Sequence, residues 1–231
     1  MLIGMSRYPL HAVTHFPVLV DWNGPPAEAD GWITVFPRNK LFGFHAVKRV
    51  YAQRVKTKDG ERSCLVVGRI KYLFSEIFTG EEAKQFLGAS LLRHAYKRED
   101  ERALEMGLDD TRRWIPMMGK TPAARFGRPN DPRWAERVGG AYSSLMCNFL
   151  QNARLIAWRP PKEGTLQSGL HCPDLKTAAF VLMALDGIRV CPKCHRPFIP
   201  KTDRECYCRP SHGIAYRTAR SRRKRKGTAH A

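Results

Sequence analysis

The 231-residue sequence lacks the run of about 18 or more apolar residues that a membrane-spanning helix requires. Its first 20 residues are interrupted by Arg7, Pro9, His11, His15 and Pro17, which argues against a secretory signal peptide. These absences predict a cytoplasmic protein that does not contact a membrane. In a reducing compartment, its seven cysteines are not expected to form a disulfide framework.

Acidic residues are scarce, because 21 Asp and Glu stand against 40 Lys and Arg and leave a formal net charge of +19. A surplus of this size indicates a polyanionic partner, and nucleic acid is the first candidate. The surplus is uneven, since residues 186–231 contain 13 Lys and Arg but only 3 Asp and Glu. This step in charge predicts a separate basic module at the C-terminal end.

The common catalytic motifs are also missing, among them the P-loop, G-x-S-x-G, H-E-x-x-H and G-x-G-x-x-G. The paired acids Glu81-Glu82 and Asp109-Asp110 are adjacent, so on a helix their side chains diverge. The sequence therefore names no catalytic residue and favours a protein that is not an enzyme. The alternative is an enzyme that processes nucleic acid and uses its C-terminal module to hold the substrate.

The first 185 residues predict an α+β, mainly helical domain. Short apolar, β-branched runs at 15–22, 32–36 and 64–67 indicate strands. A capping box between Thr79 and Glu82 predicts a helix that continues to about Met106. Further helices are expected around Tyr142–Ala153 and from Pro173 to Leu185, where apolar residues recur at helical spacing.

Residues 108–140 are rich in Pro, Gly, Arg and Trp, and their composition predicts a long connector. Two interpretations of its cations and aromatics stay open. They belong either to a surface loop pinned by two tryptophans or to an arm that contacts phosphates and bases. The residues concerned are Arg112, Arg113, Trp114, Arg125, Arg128, Arg133 and Trp134.

Four cysteines lie between residues 191 and 208, and their spacing is typical of a metal site. Cys191 and Cys194 form a C-x2-C pair, which on a tight turn directs both sulfurs to one point. Cys208 and His212 form a C-x3-H pair, and residues four apart share one face of a helix. Together they predict one structural Zn²⁺ ion with four protein ligands.

Two alternatives to this ligand set remain. Cys206 is an alternative third ligand, because in an extended segment residues 206 and 208 point the same way. The letters C-x-x-C-H at Cys191–His195 also match the covalent haem motif. Haem attachment would leave Cys208 and His212 without a role, and it is typical of exported proteins.

A dense basic run follows the second ligand pair and predicts a basic helix or tail that contacts the phosphate backbone of a nucleic acid. Mutual repulsion makes this run unstable as a free helix, so we expect phosphates to favour its folding. A solvated or targeting tail is the alternative. The run comprises Arg217, Arg220, Arg222, Arg223, Lys224, Arg225 and Lys226.

The stretch C-P-K-C-H-R-P-F-I-P-K…Y-C-R-P-S-H-G-I-A-Y-R-x-x-R, within residues 189–226, resembles small bacterial zinc modules. Their pattern is C-x2-C-x-x-x-F followed by Y-C-x3-C and an Arg-rich helix. The stretch is more loosely similar to the CGNR-type zinc finger of bacterial transcription regulators. His212 stands where the family has Cys, and Ile214 and Ala215 replace the Asn and Arg of the CGNR signature. The resemblance implies a treble-clef-like zinc fold, DNA binding, and Cys191, Cys194, Cys208 and His212 as ligands.

The sequence therefore predicts two units. Residues 1–185 would form a domain that senses a ligand or forms a homodimer, and residues 186–231 a zinc finger with a basic helix. The expected function is regulator-like binding of nucleic acid, with DNA favoured over RNA. A protein that associates with RNA or the ribosome is a further alternative.

Overall fold

The computed structural model describes residues 17–21, 33–35, 45–57, 60–67, 69–111, 115, 121–158, 167–202 and 204–228. Arg112, Arg113 and Trp114 lie outside the described residues, as do the outer ends of the predicted strands 15–22 and 32–36. In the basic run, the side chains of Arg217 and Arg222 are described, and those of the other five residues are not.

Seven strands form one sheet. They are β1 (Val18–Asp21), β2 (Ile33–Val35), β3 (His45–Thr57), β4 (Gly60–Val67), β5 (Ile70–Leu73), β6 (Arg154–Trp158) and β7 (Gln167–Cys172). Their order is β5-β4-β3-β1-β7-β6, and β2 pairs with β3 beside this path. β1 runs parallel to β7, and the other pairs are antiparallel.

The strand register aligns the apolar residues of one sheet face. Val50 of β3 lies opposite Val18 of β1 on one side and Val67 of β4 on the other. All three side chains are at most 4% exposed. The neighbours Arg49 and Tyr51 are exposed, as the alternation of a strand requires. The charged residues of β3 hide this alternation, so neither β3 nor the β6–β7 pair was predicted.

Seven helices and a two-stranded hairpin complete the described structure. The helices are α1 (Phe74–Ile77), α2 (Gly80–Arg98), α3 (Glu101–Thr111), α4 (Pro122–Phe126), α5 (Trp134–Leu150), α6 (Leu175–Ala184) and α7 (Pro210–Thr228), and the hairpin strands are β8 (Arg189–Val190) and β9 (Pro197–Phe198). An aromatic cluster joins α1, α2, α5 and α6, with ring centroids 4.7 Å apart for Phe78–Phe86 and 4.2 Å for Phe149–Phe180. The mixed α/β architecture agrees with the predicted combination of helices and strands, and the sheet is larger than expected.

The predicted helix from Thr79 to Met106 is two helices. Glu99 takes the left-handed conformation with φ 49°, and this ends α2 at Arg98. Asp100 then begins α3, because its carboxylate accepts a hydrogen bond from the backbone N–H of Ala103 at 3.4 Å. The apolar spacing continues across the break, so the periodicity alone could not locate it.

The predicted capping box at the start of α2 is wrong. Thr79 precedes the helix, but its side chain makes no capping hydrogen bond, and its carbonyl oxygen accepts from the Glu82 N–H at 3.0 Å. Gly80 opens the helix with φ 49°, which departs from the geometry that a capping box needs. The Glu82 carboxylate instead accepts a hydrogen bond from Lys176 of α6 at 2.5 Å.

The predicted connector at 108–140 contains helical structure at both ends and in its middle. α3 continues to Thr111, α4 is capped by the Thr121 hydroxyl, and α5 begins at Trp134, eight residues before the expected start. Trp134 is only 1% exposed, so it belongs to the core and not to an arm that stacks on bases. The two glycines at 139 and 140 interrupted the apolar pattern and concealed this first part of α5.

α2 and α3 cross closely at Gly88, and this contact gives a test of the packing. A Cβ atom on Gly88 would lie 2.5 Å from Thr111 Cγ2, and the Thr111 hydroxyl is held by the Gly107 carbonyl at 2.7 Å. We expect Gly88→Ala to lower the free energy of unfolding by about 1–3 kcal/mol in chemical denaturation, although alanine favours helices.

Gly140→Ala in α5 is the matched control, because its added Cβ would meet nothing within 4 Å. That variant should be neutral or stabilised by up to about 1 kcal/mol. Equal stability of the two variants would contradict a close contact between α2 and α3.

Candidate metal centre

The β8–β9 hairpin holds the first pair of predicted ligands. Cys191 follows β8 directly, and its backbone N–H donates to the Arg196 carbonyl at 3.0 Å. The N–H of His195 donates back to the Cys191 carbonyl at 2.8 Å, and His195 takes φ 56°. This tight turn brings Cys191 and Cys194 to one side of the hairpin, as the C-x2-C spacing predicts.

The second pair comes from the entry to α7. Cys208 lies two residues before the helix, and His212 lies in its first turn. The His212 N–H donates to the Arg209 carbonyl at 3.1 Å, which closes this turn. The distance between Cys208 Sγ and His212 Nδ1 is 3.2 Å, so the C-x3-H spacing places both side chains together.

The four side chains form one cluster whose ligand atoms all lie within 4.8 Å of one another. Cys194 Sγ is 3.5 Å from Cys208 Sγ, and Cys191 Sγ is 3.7 Å from His212 Nδ1. In a tetrahedral zinc site, ordinary Zn–S and Zn–N lengths put two sulfurs about 3.8 Å apart and a sulfur and nitrogen about 3.6 Å apart. The cluster can therefore hold one metal ion.

The acid–base properties of the cluster also favour a bound cation. Burial alone would raise the pKa of Cys191, but hydrogen bonds from the backbone N–H groups of Cys208, Cys194 and Lys193 outweigh it and lower the pKa. Burial and the negative charge of Cys191 raise the pKa of Cys208 to about 12. The protein thus stabilises one thiolate and opposes a second, and a divalent cation would remove this opposition.

Cys206, the alternative ligand, lies apart from this group. Its Sγ contacts the Arg204 carbonyl at 3.5 Å, and its side chain lines a separate cavity against α2. The structure brings Cys208, and not Cys206, together with the other three side chains. His195, which completes the C-x-x-C-H letters, is likewise outside the cluster.

Two tyrosines that sequence reasoning assigned no role support the helix that carries His212. Tyr216, one turn further along α7, is 0% exposed, and its ring lies 5.7 Å from that of Tyr207. The Tyr207 ring also covers Gly213, where an added Cβ would approach it to 2.9 Å. The Arg102 guanidinium of α3 stacks over Tyr216 at 4.8 Å. The spacing of His212 and Tyr216, four residues apart on one helical face, was the sequence feature that could have indicated this anchoring.

Polar contacts attach the cluster to α2. Asp186 accepts hydrogen bonds from Arg93 and Lys97 of α2 and from Arg189 Nε at 3.1 Å. The Ser90 hydroxyl accepts from the Val190 backbone N–H at 3.0 Å, directly before Cys191. The hairpin is therefore held by two buried α2 side chains, Ser90 and Arg93, and by the partly exposed Lys97, none of which the sequence associates with it.

Beyond its first two turns, α7 carries the predicted basic run. The structure continues the helix to Thr228, although the sequence predicted an unstable free helix. Anchoring of the first turns supplies a nucleus, and Ala, Arg and Lys propagate a helix well. The Arg217 and Arg222 side chains are exposed, and so is Ile214 at 61%.

Among the described residues, no second group of His, Cys, Asp and Glu could hold a metal ion. None of the described helices is long and apolar enough to cross a membrane. No family model, curated protein or solved structure matches the chain. The resemblance to CGNR-type fingers therefore rests on the cluster residues and their spacing alone.

Proposed function

We propose that the chain is a nucleic-acid-binding protein, without catalytic activity, in which one structural Zn²⁺ ion positions a basic helix. The observation that carries this proposal is the position of His212. It joins the Cys/His cluster and also forms the first turn of the helix that presents the basic run. A metal ion bound there would fix the orientation of the helix that carries the seven basic residues.

The donor set supports zinc as the metal. Three sulfurs and one imidazole nitrogen are soft to borderline ligands, which in tetrahedral arrangement suit zinc and disfavour magnesium or calcium. Four protein ligands leave no position for water or substrate. Such a site is structural, which supports a binding role and not catalysis.

The shape of α7 supports DNA over RNA. Its 19 residues span about 28 Å, and a helix with side chains is about 10–12 Å wide. The major groove of B-DNA is about 12 Å wide and admits such a helix. The major groove of A-form RNA is too deep and narrow for side chains to read.

We also propose a unit boundary after residue 185, with residues 1–185 serving for ligand sensing or homodimerisation. Support comes from the backbone at that point. Asp186 takes φ 64° and is followed by Gly187, so the chain turns sharply between α6 and β8. The charge step in the sequence falls at the same place.

The direct test is a fluorescence-anisotropy titration of metal-loaded protein against duplex DNA and hairpin RNA at several salt concentrations. We expect duplex DNA to bind more tightly, with log K falling linearly against log salt at a slope of up to about −6, since seven cations contribute about −0.9 each. Absence of binding at low salt would overturn nucleic-acid binding. Tighter binding of RNA would overturn the DNA assignment, and cleavage of either probe with added Mg²⁺ would overturn the non-enzymatic role.

A further inference from the structure

A small cavity of about 170 Å³ lies between α2 and residues 186–206, the segment that leads into the Cys/His cluster. Four of its lining side chains are cations, and one is a carboxylate. The cations are Arg93, Lys97, Arg98 and Arg189, and the carboxylate is Asp186. Ser90, His94, Val190 and Cys206 also line the cavity. The volume of the cavity is several times the roughly 30 Å³ that one water molecule occupies in the liquid.

The single carboxylate is shared by three of the cations. Arg93 and Lys97 both bind Asp186 directly, and Arg189 Nε lies 3.1 Å from Asp186 Oδ1. The exposed fractions of the Arg93, Asp186 and Arg189 side chains are 9%, 10% and 14%. The Lys97 side chain is 35% exposed, so two of the three cations are nearly buried. One negative charge does not balance the three, and the exposed Arg98 adds a fourth at the cavity wall.

The pKa values of Lys97 and Asp186 reflect burial first and then the charges of the neighbouring cations. Burial and then repulsion from Arg93 lower the pKa of Lys97, although Asp186 is bound to it. The pKa of Asp186 is itself lowered, because hydrogen bonds from Arg93 and Lys97 outweigh the opposing effect of burial. A second anion in the cavity would relieve the repulsion between the cations.

We propose that this cavity is a binding site for a phosphate group, separate from the basic helix. A phosphate carries up to two negative charges and several acceptor oxygens, so it can accept hydrogen bonds from Lys97, Arg98 and Ser90 together. Arg93 and Arg189 would contribute mainly by their charge, because Asp186 already orients them. The phosphate belongs either to a nucleic acid or to a small phosphorylated compound, since both offer the same chemistry.

The test is calorimetric titration of the metal-loaded full chain with inorganic phosphate and pyrophosphate, with acetate as a carboxylate probe. We expect phosphate and pyrophosphate to bind and acetate not to compete. Lys97→Gln with Arg98→Gln should weaken phosphate binding by about tenfold or more, because hydrogen bonds between charged groups are lost. Arg98→Gln alone, at an exposed position, should weaken it less while leaving the Asp186 contacts in place.

The matched control is Arg69→Gln with Lys71→Gln, which removes two exposed cations at the β4–β5 hairpin. It should change phosphate affinity by less than about twofold. Three outcomes would overturn the phosphate site. They are an equal loss of phosphate affinity in both double variants, no phosphate binding even at about 10 mM, and competition by acetate as strong as that of phosphate. Metal content and circular dichroism of each variant establish that it is folded.

Oligonucleotides with and without a 5′-phosphate separate the two sources. If Lys97→Gln with Arg98→Gln weakens the binding of both oligonucleotides, the cavity binds the nucleic-acid backbone. A loss confined to the phosphorylated oligonucleotide assigns the cavity to a terminal phosphate. Loss of inorganic phosphate binding with unchanged oligonucleotide binding assigns it to a free phosphorylated compound. Each result supports the cavity as a phosphate site and identifies its source, and the titration with inorganic phosphate does not depend on the basic helix.

Discussion

We expect the purified protein to retain one metal ion per chain and Cys208→Ser to lose it. Cys208 Sγ lies within 3.5 Å of both Cys194 Sγ and His212 Nδ1, so its loss opens the cluster between the hairpin and α7. Substitutions outside the ligand shell typically cost 10–100-fold in metal affinity, and loss of a thiolate ligand should exceed about 100-fold. Elemental analysis of freshly purified, reduced protein measures this directly.

Cys206→Ser is the matched control, because it makes the same chemical change two residues away. Its thiol is directed at the Arg204 carbonyl and not at the cluster, so the variant should keep its metal. Metal retained in Cys208→Ser and lost in Cys206→Ser would reverse the assignment of the third ligand. Retention in both would show that the cluster does not bind the metal.

Loss of the metal should also reduce the local stability of residues 188–216, which contain all four cluster residues. A metal present at 1,000 times its dissociation constant stabilises the folded state by about 4 kcal/mol. We therefore expect backbone amides of residues 188–216 to exchange hydrogen faster in Cys208→Ser, with smaller changes in α2 and α3. Uniform acceleration over the whole chain would mean that the cluster and the rest of the protein unfold together.

Neutralising the exposed cations of α7 should produce the largest change in nucleic-acid affinity. Arg217→Gln with Arg222→Gln keeps residues that favour helices and removes two positive charges. If both contact phosphates, the salt slope should become shallower by about 1.8, and affinity at about 0.1 M salt should fall roughly 60-fold. Replacing all seven cations should abolish most of the salt dependence.

Arg69→Gln with Lys71→Gln again provides the control, since it lowers the net charge by the same amount. Its salt slope should remain close to that of the unmodified protein, because those cations belong to the β4–β5 hairpin and not to α7. Equal effects of the two double variants would mean that net charge, and not the basic helix, determines binding. An unchanged slope with all seven replaced would place the contact elsewhere on the protein.

Local patterns predicted local structure well. The C-x2-C and C-x3-H spacings each depend on a few consecutive backbone conformations, so both pairs formed as expected. The formation of α6 also depends on adjacent residues. The Asp174 carboxylate accepts a hydrogen bond from the Thr177 N–H at 2.7 Å and caps a continuous apolar run. The start of α5 and the break at Glu99 were missed, because burial of Trp134 and the crossing at Gly88 depend on residues distant in sequence.

The sequence alone determined three members of the cluster, Cys191, Cys194 and His212, and limited the fourth to Cys208 or Cys206, because ligand chemistry and short spacings are properties of adjacent residues. It also determined the basic run that follows them. Only the tertiary structure decided that Cys208, and not Cys206, joins the cluster, since the fold directs these two thiols to different neighbours. It likewise brought Arg93 and Lys97 to Asp186, about ninety residues away, because pairing of charges across such a separation follows from packing and leaves no periodic pattern in the sequence.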